Sequence, residues 1–369
     1  MNVPFVDLKC QYANIKDKID SAIKNVVEET AFIRGKYVEN FEKSYASEYG
    51  VKNCVSVGNG TEGIYIALKM LGIGPGDEVI TTACSWIATS ETITQTGAKP
   101  VFVDISPDCY TINTSLIRGK ITKKTKAIIP VHFYGQPADM DKIMAIAQEY
   151  GLYVIEDCAQ AHFAMFRGKK VGTIGNVGVF SFYPSKNLGA YGDAGCIITD
   201  NDELAYKMRL YANHGSVNKV DHLFEGINSR MDGLQASVLL TKLPYIHEWN
   251  KRRYENAMIY NSLLKDFEKI KIPVVRDECQ HVFHVYAIRA EQRDELKEFL
   301  SSNGIQTVLH YPRALPFLSA YKYLNHDKDD FPVAYKHQTA ILSLPMYPEL
   351  ERAQIEYVVK KIKEFYKSK

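Results

Sequence analysis

The chain reads as an α/β protein built around a mostly parallel sheet, followed by a smaller α+β unit. Two observations predict the sheet. Between about Val51 and Asp200, short β-branched runs alternate with amphipathic stretches of helical period, and several of the runs are continuously apolar, as strands covered on both faces are. A third predicts the second unit: beyond Asp200 the pattern turns helical and then mixed. In order, strands are expected over 55–57, 78–82, 100–103, 127–133, 153–156, 178–182 and 196–199, with helices over 63–71 and 140–150 among them. Helices over 204–211, 231–243 and 246–264 follow. Extended runs over 271–275 and 281–289, a helix around 291–301 and a last helix near 350–366 complete the chain. Since 369 residues exceed what one core usually serves, a large domain over 1–243 and a small C-terminal domain over 244–369 are expected. In open sheets of this kind, ligands gather at the carboxyl ends of the strands.

Composition narrows the function classes. Apolar residues make up 46% and charged residues 24%, the mix of an ordinary globular protein. Lys and Arg number 45 against 43 Asp and Glu, so no global field draws nucleic acid or an anionic membrane, and an anionic ligand needs local donors. The 24 tyrosines lack the basic stripe of a nucleic-acid platform. Seven scattered cysteines with no C-x-x-C pair read as reduced thiols, not a disulfide or zinc framework, and no histidine pair has metal-site spacing. With no apolar run of about 18 residues and no basic, apolar start, the expected location is the cytoplasm.

Three local features carry chemistry. In SVGNGTEGIYIALKMLG, Ser56 to Gly72, a strand passes through Gly58, Asn59 and Gly60 directly into a helix, whose free N–H groups and partial positive charge suit a phosphate. Gly60 allows close backbone approach, and Thr61 is placed to cap the helix and offer its hydroxyl. The Walker pattern and the full dinucleotide fingerprint are absent, which weakens both nucleotide readings, a nicotinamide oxidoreductase included. Tyr153-Val154-Ile155-Glu156-Asp157 puts Asp157 at a strand's carboxyl end, and SFYPSKNLGAYGDAG, Ser181 to Gly195, puts Lys186 just beyond the next one. Alone, each has a bland reading: a tight turn, a surface carboxylate, a solvated lysine.

Together they match one ligand. Pyridoxal phosphate has an aldehyde that condenses with a lysine amine, a ring nitrogen that must stay protonated, and a phosphate to anchor. A carboxylate about 4 Å from the pyridinium gains roughly 4 kcal/mol at an effective dielectric of about 20, enough to hold that proton. Asp157 suits this role. A partly desolvated Lys186 has its ammonium disfavoured, and so suits the condensation and later proton transfer.

Over nearly its whole length the chain resembles the DegT/StrS group of sugar-nucleotide aminotransferases, within the aspartate-aminotransferase-like (fold type I) pyridoxal phosphate enzymes. The resemblance rests on Val3 to Leu8, Gly60-Thr61, Glu156-Asp157, Ser181 to Gly195, Asn228 to Asp232 and His310-Tyr311-Pro312. It implies that fold, with a large three-layer domain, and pyridoxal 5'-phosphate as cofactor. Lys186 becomes the cofactor-linked lysine, Asp157 the partner of the ring nitrogen, and Gln160 the neighbour of the phenolic oxygen. Gly60, Thr61 and Ser181 become phosphate ligands, and Trp86 a ring on the cofactor face. Asn228 is implied to reach the neighbouring subunit's phosphate, so that a homodimer shares its active sites.

The implied reaction is ping-pong: L-glutamate gives its amine to the cofactor, and a nucleotide-linked keto-sugar accepts it. Lys186 argues against the related dehydratases, which carry histidine there, and the match at Asp157 and Gln160 against a non-catalytic regulator on the same fold. Gln160-Ala161-His162 resembles members acting on carbon 3 of a dTDP-3-keto-6-deoxyhexose; histidine at the Gln160 position is commoner among those acting on carbon 4. Such products are deoxyamino sugars of the kind found in O-antigens and other surface polysaccharides. His162, Arg230, His310 and Tyr311 are the candidate substrate contacts, with Arg230 able to grip a carboxylate or phosphate. His214, His281 and His284 read as polar packing. The chain departs from the family pattern at Phe163, usually glycine and here expected to reshape the sugar pocket, at Ile227, usually tyrosine, and at Gly233, usually glutamate.

Overall fold

The computed structural model describes residues 1–218 and 220–367. Two helices precede the first strand and were not anticipated: α1 (Leu8–Glu28), with Gln11, Ile15, Ile19 and Val26 turned inward, and α2 (Lys36–Tyr49), stopped by Gly50 in the left-handed conformation. Then follow β1 (Asn53–Val57), α3 (Gly60–Met70), β2 (Glu78–Thr82), α4 (Ala88–Gln95), β3 (Lys99–Val103), β4 (Thr125–Ile129), α5 (Met140–Tyr150) and β5 (Tyr153–Asp157). Short β6 (Met165–Phe166) and β7 (Lys169–Lys170) lead to β8 (Val177–Ser181), β9 (Gly195–Thr199), α6 (Asp202–Tyr211), α7 (Gly233–Lys242) and α8 (Ile246–Leu264). The remainder is β10 (Ile270–Lys271), β11 (Cys279–Gln280), β12 (Tyr286–Ala290), α9 (Arg293–Ser302), α10 (Pro332–Ala340), β13 (Ile341–Leu344) and α11 (Arg352–Lys367).

The central sheet has the order β1-β9-β8-β5-β4-β2-β3, and only β9 runs against its neighbours. It is the mostly parallel sheet expected from the sequence. One face packs on α1, α2, α5 and α7 through residues such as Ile19, Phe41, Ile143 and Val238; the other packs on α3 and α6 through Ile64, Leu68 and Met208. A three-stranded sheet, β10-β12-β13, forms a second core with α8, α9 and α11. The apolar face of α11, Ile355, Val358, Val359, Ile362 and Phe365, follows the helical period. Val3 also belongs to this second core, bridged to Ile305. A further cluster, including Phe102, Tyr134, Val285 and Phe331, joins the two sheets.

Three expected strands are shorter than their apolar runs. Proline supplies no ladder N–H, so β4 ends before Pro130 and β10 ends two residues before Pro273. Of 281–289 only the end pairs as β12; Val282 and Val285 instead donate to the carbonyls of Gly135 and Tyr134, at 3.1 and 3.3 Å. At Gly233, a Cβ would stand 2.0 Å from the Ala31 carbonyl oxygen, so the departure from the family glutamate permits backbone contact between the start of α7 and the α1–α2 connection.

His132, Glu156 and Cys158 place three donor atoms within 4.8 Å of one another. Hydrogen bonds already use this carboxylate. Glu156 Oε1 accepts the N–H groups of Ile174 and Gly175 at 2.8 and 2.6 Å, and Oε2 accepts Gly172 N–H at 2.8 Å and His132 Nε2–H at 2.9 Å. The donor assignment follows because His132 Nδ1 accepts from Ala138 N–H. The knot is structural: it fastens the 172–175 loop beneath β5. Glu156→Ala strands these donors and is expected to cost about 3–5 kcal/mol, read as a lowered urea midpoint.

Candidate active site

The site forms where three chain segments meet with no room for side chains between them. A Cβ on Gly60 would lie 2.9 Å from Ser181 Cβ, and one on Gly195 would lie 2.5 Å from the Asn59 carbonyl carbon. The N-terminus of α3 is therefore pressed against the end of β8 and the start of β9. Asn59, not Thr61, caps the helix, its Oδ1 accepting Glu62 N–H at 2.8 Å. That correction leaves the Thr61 hydroxyl free to face the cavity. Ser181 Oγ accepts Tyr183 N–H at 3.3 Å and keeps its own hydrogen to donate.

Above this floor lies a cavity of about 870 Å³ lined by Gly60, Thr61, Trp86, Asp157, Gln160, Ser181, Lys186, His310 and Tyr311 among others. Nearly every expected cofactor residue is thus gathered on one wall system. Lys186 is carried by the 182–194 loop, which is closed at its neck: Phe182 N–H donates to Ala194 O and Ala190 N–H to Phe182 O, both at 2.8 Å. The buried Lys242 side chain donates to Gly189 O at 2.8 Å and sits over the Tyr191 ring, holding the loop from beneath. Burial lowers the Lys186 amine to about 8, against the raising pull of the Asp157 charge.

Asp157 is 5% exposed. Its Oδ1 accepts Ala159 N–H at 3.1 Å, and its Oδ2 accepts the Thr89 hydroxyl at 2.7 Å, with Ser85 Oγ 2.7 Å beyond. Thr89 and Ser85 escaped the sequence reading because only the packing of α4 on α3, β2 and β3 brings the turn before it and its first residues to the end of β5. Gln160 has a fixed amide: Oε1 accepts Tyr134 N–H at 2.7 Å, so Nε2–H points to Tyr311 Oη, 3.2 Å away. Trp86 is 58% exposed and its ring lies 5.3 Å from that of Tyr311, so it is no core residue. His310 Nδ1 pairs with Ser343 Oγ at 2.9 Å, and burial pushes its imidazole down to about 4.

Four residues fall elsewhere. His162 is wholly buried behind the wall: Nε2–H donates to Ser181 O at 2.9 Å, Nδ1 faces the Tyr45 hydroxyl at 3.0 Å, and burial pushes it down to about 3. It props Ser181 and does not reach the cavity as a substrate contact. Phe163 packs on Tyr45 and Tyr49 in the core, so its large side chain does not reshape the cavity. Asn228 bridges Asn213 outside the cavity lining, and Arg230 lines a separate small pocket with Arg34 and Glu42. His284, read from sequence as packing, lines the cavity instead.

The arrangement fits pyridoxal phosphate: a side-chain-free cradle at a helix N-terminus for the phosphate, a buried carboxylate oriented by a hydroxyl, and a desolvated lysine between them.

A family model described as the DegT/DnrJ/EryC1/StrS aminotransferase family matches residues 13–363. The chain is 46% identical over 369 residues to a "pleiotropic regulatory protein" of Geobacillus stearothermophilus, spanning 100% of this chain and 99% of the relative. It is 42% identical to a UDP-2-acetamido-2-deoxy-3-oxo-D-glucuronate aminotransferase of Pseudomonas aeruginosa, with 96% and 98% covered. It is 39% identical to a dTDP-3-amino-3,4,6-trideoxy-alpha-D-glucose transaminase of Streptomyces venezuelae, with 98% and 96% covered. The crystal structure of S. venezuelae DesV in complex with a ketimine intermediate is also 39% identical, covers 99% of this chain and 98% of that one, and superposes with a TM-score of 0.96.

In cofactor-free protein, amine labelling of Lys186 followed by peptide mass spectrometry is expected to rise with pH through a midpoint near 8, because the neutral amine reacts. Asp157→Asn removes the charge that raises this value, and the midpoint is expected to fall below 8.

Proposed function

The chain belongs to the DegT/DnrJ/EryC1/StrS aminotransferase family, and on that premise we propose that it moves an amino group from L-glutamate to carbon 3 of a nucleotide-linked keto-sugar. It is an aminotransferase dependent on pyridoxal phosphate. The acceptor we propose is a dTDP-3-keto-6-deoxyhexose. The similarity to the dTDP-sugar transaminase supports this nucleotide, and the UDP-sugar relative, itself named for a 3-oxo sugar, supports the same carbon. The product is proposed to be an amino-sugar donor for surface polysaccharide.

The observation that carries the reading is the convergence of Lys186, Asp157 and the Gly60–Ser181 floor on one cavity. When bound, pyridoxal phosphate supplies an aldehyde that takes up the amine and a protonated ring that accepts the electrons released as the carbon–hydrogen bond breaks. The N–H groups at the start of α3, with the Thr61 and Ser181 hydroxyls, would hold the phosphate. Asp157, oriented through Thr89, would keep the proton on the ring nitrogen. Gln160, its amide turned by Tyr134, would donate an Nε2 hydrogen to the phenolic oxygen, and Trp86, on the cavity wall, would cover one face of the ring. The Lys186 amine, with its ammonium disfavoured, would carry the cofactor's aldehyde and move the proton in each half-reaction. The Tyr311 ring lies beside that of Trp86 on the cavity wall.

Asn228, outside its own chain's cavity, is proposed to serve the cavity of a second subunit, so that the working unit is a homodimer with shared sites. A division of the chain into 1–243 and 244–369 is proposed as well, with His284, His310 and Tyr311 as the small unit's share of the site. A regulator without catalysis, suggested by one relative's name, has no use for a desolvated lysine facing an oriented carboxylate.

Glutamate alone is expected to convert the cofactor's absorbance to that of its amine form, and a 3-keto-sugar nucleotide to restore it. Mass spectrometry over 3-keto and 4-keto sugars, linked to dTDP or UDP, reads carbon and nucleotide together; no glutamate-driven change would refute transamination. Lys186→Ala is expected to lower kcat by roughly 10³-fold or more while the protein stays folded. Thr89→Val, which removes the hydroxyl that orients one Asp157 oxygen, is expected to lower kcat about tenfold while the cofactor stays bound.

A further inference from the structure

His284 enters the cavity beside Lys186, at the end of a chain of amides whose orientation is set by backbone groups. Asn250 Nδ2–H donates to His162 O at 2.9 Å, which turns Asn250 Oδ1 toward Asn187. Asn187 Nδ2–H donates to that oxygen at 2.8 Å and to Val282 O at 3.0 Å. Both amide hydrogens of Asn187 are then used, and its Oδ1 can only accept. It lies 3.1 Å from His284 Nδ1, so that nitrogen must carry the hydrogen. The backbone is held just as firmly: Arg253, buried, donates to the carbonyls of Phe283 and Met346 at 3.3 and 2.9 Å. Gly135, where a Cβ would stand 3.1 Å from His284 N, lets the Tyr134 turn press against this segment.

Neutral imidazole carries one hydrogen, so Nε2 is left as a bare lone pair with no protein partner among the described residues. His310, the other cavity histidine, pairs with a hydroxyl that can donate or accept, and so has no such constraint. Burial, with the Lys186 and Arg253 charges, keeps His284 far below the usual imidazole range and hence unprotonated.

We propose that His284 Nε2 accepts a hydroxyl hydrogen of the sugar and is a specificity-determining residue of the second half-reaction. This rests on the proposed sugar aminotransferase activity. The chemistry selects between the two substrates. The carboxylates of glutamate have no hydrogen to donate, whereas the sugar of the proposed 3-keto-6-deoxyhexose acceptor presents hydroxyls on carbons 2 and 4. A sugar lacking the matching hydroxyl leaves the lone pair buried and unpaired.

The test begins with ¹⁵N-histidine-labelled holoenzyme, with His284 assigned by difference against His284→Ala. Its spectrum is expected to show a protonated Nδ1 and a bare Nε2, and the Nε2 resonance to move to higher field when a keto-sugar nucleotide is added. A hydrogen on Nε2, or no movement at a saturating concentration, overturns the proposal without any turnover being measured. Kinetics with keto-sugars each missing one hydroxyl then locate the contact. One analogue is expected to lose about 10- to 100-fold in kcat/KM with the wild type and little with His284→Ala. Equal losses in both proteins, or a His284→Ala defect as large toward glutamate as toward sugar, refute the role. A wild type that glutamate leaves spectrally unchanged refutes the aminotransferase reading itself, and the nitrogen spectrum separates that failure from this one.

Discussion

The contact of backbone on backbone at Gly60, Gly195 and Ser181 is the constraint from which the rest of the site follows. Three segments that each end a strand or start a helix or strand can meet only because two of them carry no Cβ at the point of contact. That meeting directs the free N–H groups of α3 into the cavity. It also draws β8 and β9 together at the neck of the lysine loop, so that Lys186 projects from a closed, braced hairpin. The parallel strands bring Asp157 to the same edge, as open sheets do at their carboxyl ends.

Electrostatics then divides the labour. Burial drives His162, His284 and His310 to their neutral forms, so they act as hydrogen-bonding groups and not as cations. Lys186 remains the group poised to exchange a proton near neutral pH, and Asp157 limits how far burial can depress it. Oriented amides and hydroxyls finish the arrangement. Tyr134 N–H sets Gln160, Thr89 sets Asp157, and Asn187 sets His284, so the donor or acceptor character of several cavity groups is decided one residue behind them.

Much of this was legible in the chain. The alternation of strands and helices, the glycine turn before α3 and the strand-end positions of Asp157 and Lys186 are local patterns, and the cavity gathers them as expected. The failures have a common cause. His162 and Phe163 lie next to Gln160 in sequence, yet the chain turns after Gln160, with Phe163 in the left-handed conformation, and sends both into the core. His284 went the other way: a histidine in an apolar run reads as packing until the Tyr134 turn draws its backbone to the cavity wall. Prolines shortened β4 and β10, whereas α1 and α2, whose buried residues recur at helical spacing as clearly as those of α5, were legible in the sequence and were overlooked.

The sequence by itself determined the α/β class through its periodicity, the central pair, Lys186 and Asp157, through residue type at strand ends, and the aminotransferase family through its resemblance to that family over nearly the whole chain. Only the tertiary structure decided which side chains look into the cavity and in which hydrogen-bonding state. Those properties depend on contacts between residues far apart in the chain, such as Thr89 with Asp157, Tyr134 with Gln160, and Asn187 with Asn250, which no local pattern encodes.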